Sequence, residues 1–408
     1  MKKKDRFSIE SLRSLENDLS RVKIDSTTSI DQLLCMSLYQ GIYRGDYFKK
    51  SLLKKIKVKL NLVLFNYKNR KQKNENFKHS KNIDGLITFS YNREDFLYLD
   101  SMITNHFSYH KKKIQVIFFD QNMFESKFLA KGLNMNELII LNISDILSLY
   151  SPEWSEKYIG KIKLAEQNLA KKLKDHKIYS DFLLDNLKLD LRVQIFNYFS
   201  WLKFLNVNKP SFVIVENDRN NLSSPLVMAS KKLNIPSFSL MHGNIYNDFS
   251  YVPILADQLL VWGKMQKNLL VKSGAKESKI KIVGAPNFSD DILIKKEELL
   301  KKLYIKKHKK IIVFATSNYS EISTKIKLVE IFANALKVLS KDNWHGIIKM
   351  HPRDDLNIYR DYSRYKYLSI LSSEEISKEV SFAIAEYFCF FSSAIAFEAL
   401  LKKKKLIL

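Results

Sequence analysis

Three short patterns in the sequence place groups able to do acid–base or phosphate chemistry next to residues that let a ligand come close. The first is His242-Gly243, at the end of an apolar run. An imidazole there can take a proton near neutral pH, and a glycine lets the backbone approach a ligand. The plainer reading is a histidine hydrogen-bonded to a loop carbonyl. The second is Lys349-Met350-His351-Pro352-Arg353. Strand alternation puts Lys349 and His351 on one face, Pro352 ends the strand, and the three basic groups could neutralise a diphosphate. A solvated basic loop is the alternative. The third runs from Phe390 through Ser392 and Ser393 to Glu398. A buried run enters two hydroxyls and then a helix, whose free N–H groups and partial positive charge suit phosphate. Glu398, further along that helix, can accept hydrogen bonds from ribose hydroxyls. Simple capping by Ser393 is the competing reading, weakened by the position of this acid within an apolar run.

These groups need a scaffold, and the stretch from Lys209 to Phe288 supplies its plan. Four apolar runs, Phe212–Val215, Ser237–Met241, Gln258–Trp262 and Lys279–Val283, are too short for helices and rich in β-branched or aromatic residues. Helix-like segments, Pro225–Leu233 and Lys264–Ser273, lie between them. Strands alternating with helices predict a parallel sheet, with ligands beyond the carboxyl ends of its strands. Glu216, Asn217 and Asp218 follow the first run, His242 and Gly243 the second, Gly284 and Pro286 the fourth. Upstream, Asp84–Ser90, Ile114–Asp120 and Glu137–Ile143 read as further strands, and Trp154–Phe204 as mostly helical. Residues 82–290 therefore form one expected doubly wound domain.

A second α/β unit is expected over residues 305–408. Ile311–Ala315 reads as a strand ending in Thr316 and Ser317. Ile322, Ile326, Val329, Leu336 and Leu339 mark one helix face. Gly346–Met350, Leu368–Leu371 and Tyr387–Phe391 read as strands, and Lys405–Leu408 begins another, so this domain is read as possibly truncated. Ser372 and Glu375 form a capping-box pattern for a helix through Ala385. Residues 1–80 are expected to be a helical basic extension: Leu12, Leu15 and Leu19 keep helical spacing. Lys49–Lys73 holds ten Lys or Arg and no acid beside an apolar stripe, which suits an anionic membrane surface or a helix packed on the body.

The chain has 408 residues, 46% of them hydrophobic, so it reads as globular rather than disordered and long enough for two domains with sizeable cores. Its net charge of +25 favours anionic partners. No secretory signal is present, and no apolar run reaches the ~18 residues of a transmembrane span. Two cysteines far apart, Cys35 and Cys389, suit a reducing compartment, so a cytoplasmic location is expected, with peripheral attachment to the inner face of the plasma membrane as an option. There is no glycine-rich phosphate loop, no G-x-G-x-x-G and no D-x-D. His106 and His110 keep an i, i+4 spacing but have no companion ligands nearby, so a metal-independent site without a cofactor is expected. No nucleic-acid recognition motif accompanies the charge.

Taken in order, H-G, then Y-x-P with A-D and W-G, K-I-x-x-V-G-x-P, K-x-H-P and S-S-x-x-x-F-E-A resemble bacterial GT-B glycosyltransferases of capsule and surface polysaccharide synthesis. The set is also similar to CDP-glycerol glycerophosphotransferases and polysialyltransferases. The resemblance covers about residues 209–408. It implies an α/β, GT-B-like fold of two Rossmann-like domains facing a cleft, with acceptor on the first and nucleotide on the second. It implies that His351 and Pro352 are the nucleotide-binding pair, Ser392 and Ser393 the phosphate serines, Glu398 the ribose acid and His242 the base, with Glu216 and Asp218 as the next candidates. Lys349, Arg353, Thr316, Ser317 and Gly284 complete the expected nucleotide set. The acidic base motif of the polysialyltransferases is absent, and the tryptophan-containing H-G signature of the glycerophosphotransferases is only partly present. The expected function is a glycosyltransferase moving a sugar from a nucleotide-sugar donor to a polysaccharide or lipid-linked acceptor. The alternatives are a CDP-glycerol-type polyol-phosphate transferase and a non-hydrolysing nucleotide-sugar epimerase, the latter lacking an H-x-E-A-G-like element here.

Overall fold

The computed structural model describes residues 9–39, 42, 83–89, 114–118, 138–142, 155–241, 245, 251–285, 296–317, 322–351, 354–391 and 395–407. The chain divides into two compact units, Met1–Asn287 and Phe288–Leu408. Lys49–Lys73 and the His106/His110 pair lie outside the described residues.

The first unit is built on seven strands: β1 (Gly85–Phe89), β2 (Ile114–Phe118), β3 (Leu138–Asn142), β4 (Val213–Val215), β5 (Ser237–Leu240), β6 (Gln258–Val261) and β7 (Ile280–Ile282). They lie in the order β3-β2-β1-β4-β5-β6-β7, and every pairing is parallel. Helices cover such a sheet on both faces, so its central strands are continuously apolar. All three residues of β4 are buried.

Among the described residues, this unit also has helices α1 (Ile9–Leu19), α2 (Ile30–Leu38), α3 (Glu156–Asp175), α4 (Asp181–Asn208), α5 (Ser223–Lys232) and α6 (Lys264–Lys272). The long helical stretch predicted over Trp154–Phe204 is two helices. The break at His176–Ser180 uses a left-handed Lys177 at φ 57°, and Ser180 caps α4 by accepting from the Leu183 N–H at 3.2 Å. Helix α4 buries Tyr198, Trp201 and Phe204 at the centre of the core. Leu12, Leu15 and Leu19 enter that same core, so α1 and α2 are part of the first unit's packing.

The second unit carries β8 (Lys310–Ala315), β9 (Trp344–Lys349), β10 (Leu368–Leu371), β11 (Tyr387–Phe390) and β12 (Lys405–Ile407). Their order is β10-β9-β8-β11-β12, again all parallel. Helices α7 (Lys296–Lys302), α8 (Ile322–Leu339), α9 (Lys378–Ile384) and α10 (Ile395–Leu401) flank it. Alternate residues of β8 feed two separate cores. Ile311, Val313 and Ala315 pack with Phe382, Phe388 and Ala399. Ile312 and Phe314 pack with Val329, Phe332 and Leu336 of α8.

Two local expectations change. Helix α8 buries Lys325, Val329, Phe332, Ala333 and Leu336, while Ile322 and Ile326 are exposed. The buried face is therefore rotated from the one marked by the isoleucines, because Lys325 has a buried partner. The capping box does form, with the Ser372 N–H donating to Glu375 at 2.8 Å and the Glu375 N–H to Ser372 Oγ at 3.3 Å. It closes only a turn. The helix starts later, at Lys378, where Ser377 Oγ accepts from the Val380 N–H.

Gly346 shows how tightly α8 lies on the sheet. A Cβ there would stand 1.9 Å from Leu336 Cδ1 and 3.0 Å from Leu368 Cδ1. Gly346→Ala is expected to destabilise the protein by about 1–3 kcal/mol through overpacking. A denaturant titration checks this; an unchanged midpoint would contradict the close approach.

Candidate functional site

In the second sheet, β9 and β10 lie on one side of β8, while β11 and β12 lie on the other. The winding direction thus reverses between β8 and β11. Loops at such a point diverge and leave a crevice at the carboxyl edge, where open α/β sheets bind ligands. The register sharpens the placement: Ala315 is level with both Lys349 and Phe390. Three neighbouring strands end at one height, so the residues after them emerge together.

Thr316 and Ser317 leave β8 buried at this edge. Lys349 closes β9 as a buried ammonium, and His351 follows half-buried. Pro352, Arg353, Ser392 and Ser393 lie outside the described residues. Topology therefore gathers Thr316, Ser317, Lys349 and His351, and sends the chain after β11 into the same edge. Glu398 sits in α10, mostly buried, with an oxygen 2.8 Å from Lys378 Nζ on α9. Gly284 follows β7 in the first unit with φ +83°, a left-handed backbone that suits glycine.

One group at this edge escaped the sequence reading. Asp354 has no side-chain exposure and pairs with Lys325 of α8, itself 8% exposed. Its carboxylate also accepts from the hydroxyls of Thr316, at 2.5 Å, and Tyr359, at 2.7 Å. Burial opposes its charge, yet the bonds from Lys325, Thr316 and Tyr359 together hold its carboxyl below the usual range. Burial and Asp354 push the Tyr359 phenol up, so it stays a donor. The only sequence signal was an acid following an otherwise basic loop. The neighbouring His345 has another role: burial, aided by Lys309, lowers its pKa to about 4, and its ring nitrogen lies 2.9 Å from Ser369 Oγ. It is a neutral core histidine.

The first sheet reverses its winding between β1 and β4, where Thr88 is level with Val215. Glu216 is the next residue and is buried. Asp218, expected as a possible base, is occupied differently. One carboxylate oxygen accepts from the Leu255 and Ala256 N–H groups, both at 2.7 Å, and Lys279 Nζ donates to the carbonyls of Ile254 and Ala256, both at 2.8 Å. Burial pushes the Asp218 carboxyl up. With 1% exposure, it clamps the loop before β6. Arg219 continues this brace, donating to Glu16 of α1 at 3.1 Å and to the Pro253 carbonyl at 3.2 Å. Asn220 Oδ1 accepts from the N–H groups of Leu222 and Ser223 and so caps α5. His242 lies outside the described residues.

The chain matches no protein-family model, and no curated protein is similar to it in sequence. Its fold does have solved counterparts. A Listeria monocytogenes protein assigned to the UDP-N-acetylglucosamine 2-epimerases aligns with a TM-score of 0.50 at 12% identity, over 80% of this chain and 79% of that one. The UDP-GlcNAc 2-epimerase of Neisseria meningitidis, bound to UDP-GlcNAc, gives 0.49 at 15% identity over 79% and 82%. The Methanocaldococcus jannaschii UDP-GlcNAc 2-epimerase gives 0.48 at 16% over 79% and 82%. The scaffold is thus GT-B-like, with two parallel-sheet α/β domains. The expected glycosyltransferase activity is corrected by the same finding. The similar structures are epimerases, the alternative activity on this fold, and nothing here supports a polysaccharide or lipid acceptor. Among the described residues no helix is long and apolar enough to cross a membrane.

The Asp354 cluster has a pH signature. A carboxyl whose folded pKa lies below its unfolded value stabilises the fold above the unfolded value, near ~3.9, and that stability is lost as pH falls through the folded value. At pH 7, Asp354→Asn should cost about 3–5 kcal/mol, because it leaves Lys325 buried without its counter-charge. The gap from wild type should narrow on acidification below about pH 4. A gap equal at both pH values, measured by denaturant titration, would contradict an ionised Asp354.

Proposed function

We propose that this chain is a nucleotide-sugar enzyme of the non-hydrolysing epimerase class. The observation that carries the reading is the likeness of its two sheets to a protein assigned to the UDP-N-acetylglucosamine 2-epimerases, over 80% of the chain. The gathering of Thr316, Ser317, Lys349 and His351 at the winding reversal of the second sheet supports it. In this reading the unit from residue 305 onward holds the nucleotide and residues 82–290 form the other α/β domain.

Each residue then has a task. Lys349, His351 and Arg353 offset the charge of the phosphates, and Pro352 fixes the turn that carries two of them. Ser317, Ser392 and Ser393 offer hydroxyls or N–H groups to the same oxygens, while Thr316, whose N–H and hydroxyl already donate to the Lys349 carbonyl and to Asp354, supports them from behind. Glu398 accepts from the ribose hydroxyls, with Lys378, 2.8 Å away, holding it in place. Inverting one carbon of a sugar breaks one C–H bond and makes another on the opposite face. One group must take a proton and another must return one, and groups titrating near neutrality serve best. Glu216, the residue after β4, and His242 are assigned these transfers. Asp218 and Arg219 hold the backbone from which Glu216 projects.

Incubation with UDP-GlcNAc, followed by proton NMR, tests the reading. The expected product is a diastereomeric UDP-sugar formed without any acceptor. No conversion and no binding of UDP-sugars would overturn it. His351→Ala and Glu398→Ala should each weaken UDP binding about tenfold or more, as a charge-assisted contact contributes roughly 1.5–3 kcal/mol. Calorimetry on the folded variants checks this, and wild-type affinity in both would move the pocket elsewhere.

A further inference from the structure

From the hydrogen bonding around Asp354 we infer that Thr316 and Asp354 are positioning residues that set the orientation of His351; its part in nucleotide binding rests on the function proposed above. The Thr316 hydroxyl has two bonds with opposite sense. Its oxygen accepts from the His351 backbone N–H at 2.8 Å, and its proton goes to Asp354 at 2.5 Å. Asp354 returns to the same residue, its backbone N–H donating to the His351 carbonyl at 2.9 Å. The peptide groups on both sides of His351 are thereby fixed, one to the Thr316 hydroxyl and the other to the backbone N–H of the residue that bears the buried carboxylate.

That carboxylate is in turn immobile. Lys325 comes from the first turns of α8 and Tyr359 from the turn beyond the His351 loop, and both donate to it. The Thr316 N–H donates to the Lys349 carbonyl at 3.0 Å, which ties the end of β8 to the residue that precedes the loop. A side chain on a strand end normally samples several directions, since the ladder stops there. Here the backbone of His351 is held by Thr316 at the end of β8 and by the Asp354 N–H, and the Asp354 carboxylate that fixes both is anchored by Lys325 of α8. A contact that is preorganised in this way loses less freedom when a ligand arrives. None of these groups needs to touch the nucleotide to affect its binding.

The test separates orientation from simple stability. Thr316→Val keeps the shape but removes the hydroxyl, while Thr316→Ser restores it. In full-length protein, with folding checked by circular dichroism, Thr316→Val should shift the His351 ring resonance, assigned by its loss in His351→Gln. It should also weaken UDP binding about tenfold, the loss of one well-placed hydrogen bond. Thr316→Ser should restore both. A folded Thr316→Val with the wild-type resonance and the wild-type affinity would overturn the inference, as would a serine variant that fails to restore either. If wild type itself binds no UDP, the functional reading fails and the His351 resonance alone decides the positioning role. Should Thr316→Val not fold, Tyr359→Phe removes one donor to Asp354 and should move the resonance in a smaller step; no movement in that folded variant would refute the inference.

Discussion

The second unit depends on a buried ion pair between Lys325 and Asp354. Withdrawing two charges from water costs several kcal/mol per ion, and their attraction repays this only when the remaining bonding capacity is also met. Here it is met, because Asp354 has Thr316 and Tyr359 as additional donors. Helix α8, the end of β8 and the loop after β9 therefore share one electrostatic anchor. Packing alone would tolerate small slides of α8 along the sheet, but the ion pair and the Gly346 contact do not. The first unit uses the same device with other residues: Asp218 and Lys279 hold opposite polar groups of one loop, and Arg219 joins it to α1.

Much of the scaffold was legible in the sequence because parallel strands covered on both faces leave a plain mark. Runs such as Val213–Val215 and Ile311–Ala315 are short, apolar and β-branched, and no amphipathic helix has that form. Their ends were legible too, since polar residues cluster after each run. That placed Thr316, Ser317, Lys349 and His351 correctly on strand ends, although strand order, and with it the winding reversal beside β8, could not be read. Order depends on how crossovers pack, which no local pattern encodes.

The features that sequence reading missed are those that need distant partners. Lys325 lies 29 residues from Asp354, and in a chain this basic it looks like one more solvated lysine. Its burial turns the α8 face away from Ile322 and Ile326, which periodicity alone had placed inside. Asp218 looked like a candidate base for the same reason in reverse: a carboxylate at a strand end suggests chemistry until its backbone partners, 37 and 38 residues onward, are visible. The Ser372–Glu375 box shows that a local signal can form as drawn and still not start a helix. Activity was the least legible property. Phosphate- and ribose-binding groups recur across enzymes of this fold, so motifs that pointed to a nucleotide-sugar could not choose between transferring the sugar and inverting it.

The proposed nucleotide site is the carboxyl edge of the second sheet, at the winding reversal. Hydrogen exchange followed by mass spectrometry, with and without saturating UDP, tests it most directly. Slower exchange is expected in peptides covering residues 311–317, 345–354 and 387–398. Protection confined to the first unit, with those three segments unchanged, would contradict it.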